Sequence, residues 1–82
     1  MIYLLTQDNC PKCNIIKQFI DKGLSESEKA KIQIVHRQND EKLFMELVAK
    51  YQIMSTPVLI GDDGCVLLDA SISNVKDFVL SH

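Results

Sequence analysis

The sequence predicts an α/β fold with the element order β-α-β-α-β-β-α, a four-stranded mixed sheet with helices on both faces. Three observations lead there. Short apolar runs at 2–6 and 32–37 are each followed by a stretch whose apolar residues recur at helical spacing. From Ile53 the texture changes to two apolar runs, 58–60 and 65–68, joined by Gly61-Asp62-Asp63-Gly64, whose residues tolerate the positive φ of a hairpin turn. Right-handed crossovers make the first two strands parallel, and the hairpin adds two antiparallel ones.

Each element has a local reason. The run 2–6 reads as a largely buried strand, broken by Gln7-Asp8-Asn9. Pro11 suits the first turn of a helix, where its missing N–H costs nothing. Ile15, Ile16, Phe19 and Ile20 then share a helical face expected to end at Gly23. Residues 24–31 are polar and charged, a connector or the frayed end of that helix. The second strand follows, with partial alternation. Asn39 or Asp40 is placed to cap a second helix carrying Leu43, Phe44, Leu47, Val48 and Tyr51. Ser71 or Ser73 is placed to cap a last short helix with Ile72, Val75, Phe78 and Val79 on one face. No repeat, low-complexity tract or linker interrupts the pattern, so residues 1–82 are expected to form a single domain, small for a self-sufficient core.

With 46% hydrophobic and 24% charged residues, the composition is that of an ordinary soluble globule. The 9 basic and 11 acidic residues, net charge −2, are mixed, without the Lys/Arg stripe of a nucleic-acid or anionic-membrane surface. No run reaches the roughly 20 apolar residues of a membrane span. The first seven residues lack the basic region and cleavage site of a signal peptide. A cytoplasmic monomer without membrane or nucleic-acid partners is the expectation. In that compartment an exposed cysteine pair is more often catalytic or metal-binding than structural.

Cys10-Pro11-Lys12-Cys13 is the motif that carries chemistry. It sits at a strand-to-helix junction, where the first helical turn presents unpaired N–H groups and a partial positive charge that stabilise a thiolate. Cys13, three residues on, faces the same side one turn later, within disulfide reach. A thiol with a pKa near 8.5 is about 3% ionised at pH 7, and lowering that pKa to roughly 7 raises the fraction to about half. The pattern predicts a two-step exchange in which Cys10 attacks a substrate disulfide and Cys13 resolves the mixed disulfide. Pro11 stiffens the turn and Lys12 adds positive charge, while Asp8 opposes it. Three other readings stay open: an inert pair, a non-catalytic interaction domain, and a zinc half-site completed by Cys65, His36 and His82. None of those three ligands forms a second pair at ligand spacing.

With this tetrapeptide after the first strand and Thr56-Pro57 opening the third, the chain resembles the thioredoxin-fold superfamily over essentially its whole length. Its smallest members, the glutaredoxins and glutaredoxin-like redoxins, are the nearest in pattern. The resemblance implies the thioredoxin fold, a cis Thr56–Pro57 bond lying against the cysteines, and an extended substrate segment docked on the Thr56 backbone. Pro11, Lys12, Thr56 and Pro57 are then expected to touch substrate. So are Asp69, Ala70 and Ser71, where the last strand returns toward the cysteines.

Several positions depart from the glutaredoxin pattern. Asp8 stands where many have a basic residue, and Lys12 replaces the usual tyrosine between the cysteines. Asp69-Ala70-Ser71-Ile72 occupies the place of a glycine pair and the acidic residues that hold the glutathione amine. The chain also has no tryptophan, unlike the redoxins that serve ribonucleotide reductase. The expected activity is reduction of protein disulfides without strong dependence on glutathione. Thioredoxin reductase or glutathione is the expected electron donor, and the chemistry needs no cofactor or metal in the chain.

The remaining candidates read as structural. The third strand carries the chain about 10–13 Å from Pro57 before it turns, which places Cys65 away from Cys10. His36 and His82 have no partner pattern and read as structural or solvated. Tyr51 belongs to a core face, and Tyr3 needs a partner for its hydroxyl. Gln7, Asp8 and Asn9 border the site without a chemical role.

Overall fold

A strand that is apolar on both faces belongs in the middle of a covered sheet. β1 (Ile2–Thr6) is such a strand: Ile2 and Leu4 point to one side, Tyr3 and Leu5 to the other. The computed structural model describes residues 1–81. In it β1 lies between β2 (Ile32–His36), which is parallel to it, and β3 (Val58–Ile60), which is antiparallel. β4 (Val66–Leu67) pairs antiparallel with β3, giving the strand order β2-β1-β3-β4. Four helices complete the chain: α1 (Pro11–Gly23), α2 (Glu26–Lys29), α3 (Glu41–Tyr51) and α4 (Ile72–Ser81). His82 lies outside the described residues.

Two apolar clusters flank the sheet. On one face α1 and α4 bury Ile16, Ile20, Val75 and Val79 against Ile2, Leu4 and Leu59. On the other, α3 buries Phe44 and Leu47 against Leu5, Val35, Val58 and Ile60. The alternation along β3 divides its side chains accordingly, Leu59 to the first cluster and its two neighbours to the second. Each fully buried aliphatic side chain contributes roughly 1.5–3 kcal/mol of transfer free energy. The predicted mixed sheet with helices on both faces is therefore what forms.

The local expectations need four corrections. Residues 24–31 are neither a connector nor a frayed end, because they contain α2. Ser25 starts it with a capping box, its hydroxyl accepting from the Glu28 amide while the Glu28 carboxylate accepts from the Ser25 amide. Gly23 ends α1 as expected, with Leu24 following in extended conformation at φ −107°. What the glycine supplies is room, for a Cβ there would sit 2.7 Å from the Phe19 ring. Asp40 is the N-cap of α3, but its side chain makes no capping hydrogen bond. β4 is two residues long, and Cys65 lies in the turn before it. Finally Ile72, expected on the buried face of α4, is 47% exposed, while Ser71 provides that helix's cap by accepting from the Asn74 amide at 3.3 Å.

Candidate active site

β1 delivers the chain to one end of the sheet, and the turn at 7–9 reverses it into α1. Asn9 takes the left-handed conformation there, with φ 58°, which asparagine tolerates better than most residues. Cys10 is the N-cap of α1, in extended conformation, and its Sγ accepts from the Cys13 amide at 3.2 Å. A cysteine sulfur thus occupies the place that a serine or aspartate oxygen usually takes, with Pro11 inside the first turn as predicted. Cys10 and Cys13 are joined in a disulfide, with their Cα atoms 5.2 Å apart. Cys13 is completely buried, whereas Cys10 retains 9% exposure. An incoming group meets Cys10 first.

The start of β3 forms the opposite wall. The Thr56–Pro57 peptide is cis, as the resemblance implied. The Thr56 hydroxyl donates to Cys10 Sγ at 3.6 Å, and the Thr56 carbonyl oxygen lies 3.8 Å from the same sulfur. A disulfide sulfur has no proton to give, so the second contact becomes a hydrogen bond only in the reduced thiol.

A groove of about 400 Å³ opens beside this wall. It gathers Lys12, Thr56, Pro57, Asp69, Ala70 and Ser71, six of the seven residues expected to touch substrate. Pro11 lies outside it, in a second cleft on the Cys10 side that also contains Gln7, Asn9, Lys12 and Met54. The loop at 69–71 is held in shape by α4: Asn74 Nδ2 donates to the Asp69 carbonyl oxygen at 2.9 Å and to its carboxylate at 3.3 Å. Ile15, Leu68 and Ile72 are among the groove residues that escaped the sequence reading, all roughly half exposed or more. A signal existed for Ile15. It neighbours Ile16 on α1, and two residues 100° apart on a helix do not both face the core centre.

Of the two readings of His36, structural or solvated, the first holds. His36 is neither solvated nor without partners: Nδ1 lies 2.8 Å from Thr6 Oγ1, and Nε2 lies 2.8 Å from an Asp8 carboxylate oxygen. Asp8 also donates its amide to Gln38 Oε1 at 3.0 Å. An Asp–His–Thr row has the look of a nucleophilic triad, but Thr6 is completely buried and no substrate reaches its hydroxyl. Both ring nitrogens of His36 are engaged, which removes it as a free zinc ligand. Cys65 is exposed, hydrogen-bonded to Asp63, and borders neither opening at the cysteine pair. Among the described residues no three His, Cys, Asp or Glu side chains are grouped to hold a metal ion.

Sheet order, cysteine pair at the first helix and cis proline facing it define a class of fold, and one of three comparisons supports it. No family model and no curated protein matches the chain. Among solved structures, the thioredoxin-like protein BC3987 superposes with a TM-score of 0.70 at 25% identity, over 94% of this chain and 97% of that one. A point mutant of BC3987 gives the same TM-score at 23% identity, over 94% and 96% of the two chains. In fold this chain is thioredoxin-like. Its site, a disulfide at a helix N-terminus, fits a redox role.

Proposed function

We propose that this protein is a thiol–disulfide oxidoreductase that reduces disulfides of other proteins. The observation that carries the reading is the asymmetry of the pair: Cys10 keeps a residual exposure and its Sγ caps α1, while Cys13 is completely buried. In the reduced protein the Cys10 thiolate would attack one sulfur of a substrate disulfide and expel the other as a thiolate, which takes a proton from water. Cys13, deprotonated, then attacks Cys10, forming the Cys10–Cys13 disulfide and releasing the reduced substrate. Two electrons pass from the dithiol to the substrate, and an external donor restores them. Thr56 and Pro57 hold the substrate segment beside Cys10.

The groove favours a protein over glutathione as the molecule engaged. Ile15, Leu68 and Ile72 give it three exposed aliphatic side chains, with Lys12 and Asp69 its only charges among the described residues. Such a surface suits an apolar segment of a partner chain better than a small, highly charged tripeptide. The proposed electron donor is accordingly a thioredoxin reductase, with glutathione the alternative.

A coupled assay tests both parts. Reduction of insulin disulfides is followed with NADPH and thioredoxin reductase in one arm, and with glutathione and its reductase in the other. Turnover is expected in the first arm and at least tenfold less in the second. Cys10→Ser is expected to abolish turnover, and Cys13→Ser to accumulate a mixed disulfide on Cys10. Full activity of the Cys10→Ser protein, or stoichiometric zinc in an inactive wild-type preparation, would sink the reading.

A further inference from the structure

We infer that His36 is a positioning residue that ties the Asp8 carboxylate away from the N-terminus of α1, so that Cys10 sulfur alone occupies it; this rests on Cys10 being the reacting thiolate. Asp8 stands two residues before the N-cap of a helix whose first turn has unpaired N–H groups. A carboxylate is a preferred acceptor for such groups, and the helix dipole favours its charge there. A free Asp8 would therefore compete with Cys10 sulfur for the same donors and, as a second anion close by, raise the cost of the thiolate.

The geometry shows the competition prevented. The Asp8 carboxylate is bonded to His36 Nε2 and its amide to Gln38, both from the chain leaving β2. Gln7 and Asn9, on either side of it, line the cleft at Cys10, and Asp8 does not. Among the described residues Lys12 is then the one charged residue in that cleft. The Cys13 amide is correspondingly free to bond Cys10 sulfur. Thr6 makes the tie independent of the protonation state of His36. A hydroxyl either donates to a neutral Nδ1 or accepts from a protonated one, so Nε2–H faces Asp8 in both cases. Tight fixation of Thr6, completely buried, orients the ring.

The test reads the thiolate itself rather than turnover. In a Cys13→Ser/Cys65→Ser background, Cys10 is the only thiol, and its ionisation is followed by absorbance at 240 nm. His36→Ala is expected to raise the Cys10 pKa by about one unit, a tenfold loss of thiolate at pH values well below it. Adding Asp8→Asn is expected to return the value to that of the parent, and His36→Gln, which keeps a donor toward Asp8, to leave it unmoved. Should His36→Ala not fold, Thr6→Val/His36→Phe keeps the volume, leaves no orphaned hydroxyl, and is read with and without Asp8→Asn. An unchanged Cys10 titration in the untied variant, or a rise that persists with Asp8→Asn, overturns the inference. If the thiolate responds as expected while insulin reduction fails in every form, the proposed function falls and the tie stands.

Discussion

At the scale of single residues, the two kinds of cysteine in this chain differ by what touches their sulfur. Cys10 accepts hydrogen bonds from the Cys13 amide and the Thr56 hydroxyl, and both contacts favour negative charge on sulfur. Cys65 is the reverse case. Its thiol donates to the Asp63 carboxylate at 3.3 Å, and that hydrogen bond, with the charge behind it, holds the thiol above its ordinary pKa. The proton is therefore kept through neutral pH and lost only in more alkaline solution. In the reduced protein at pH 7, iodoacetamide is expected to label Cys10 at least about tenfold faster than Cys65. Asp63→Asn is expected to speed Cys65 labelling, with peptide mass spectrometry as the readout. Equal rates at the two cysteines would contradict the assignment. The tetrapeptide was legible in the sequence because its chemistry depends on a local feature, the start of a helix. His36 was not, since its partners lie 28 and 30 residues away and share no spacing rule with it.

At the scale of elements, α2 is the clearest case of a structure made by its cap. Four residues of helix gain little from propagation, because nucleation is unfavourable and each further residue adds one bond. The Ser25–Glu28 box satisfies the amides that such a short helix would leave open. Buried Leu24 anchors the segment to the first apolar cluster. The Ser-x-x-Glu pattern was present in the sequence; the surrounding charges hid it behind the reading of a polar connector. Glu28 carries the pH dependence. Hydrogen bonds from the Ser25 amide and hydroxyl, then the nearby Lys31 and Lys76, hold its carboxyl below the usual value of 4.5. A lowered pKa in the folded state means the stabilisation is complete above 4.5 and lost as pH falls through the folded value. The thermal midpoint of wild type is thus expected to exceed that of Ser25→Ala at pH 7, with the gap narrowing below pH 4. Melting curves followed by circular dichroism at both pH values check this, and a gap independent of pH would exclude the box as its source.

At the scale of the whole molecule, stability rests on a thin sheet covered twice. Leu59 is completely buried, paired with Leu4 on one side and Leu67 on the other, and packed in the cluster under α1 and α4. Truncating it removes transfer energy and leaves a cavity that rigid neighbours close only in part. Leu59→Ala is expected to cost about 2–5 kcal/mol, a large share of the 5–15 kcal/mol typical of a folded domain. Urea denaturation measures it as a lower midpoint at unchanged slope, and a loss under about 1 kcal/mol would show that the site relaxes.

Taken alone, the sequence determined the element order apart from α2, the buried character of β1, and the position of the cysteines at a helix start. All three follow from periodicity and turn chemistry within a few residues, which act before any long-range contact exists. The tertiary structure decided which sulfur is reachable and that Ile15, Leu68 and Ile72 share one groove beside Pro57. It also decided that Thr6, His36 and Asp8 meet beside the site. The reason is register. The parallel pairing of β1 with β2 sets Thr6 opposite His36, and that pairing brings Asp8 in the turn at 7–9 within reach of the histidine.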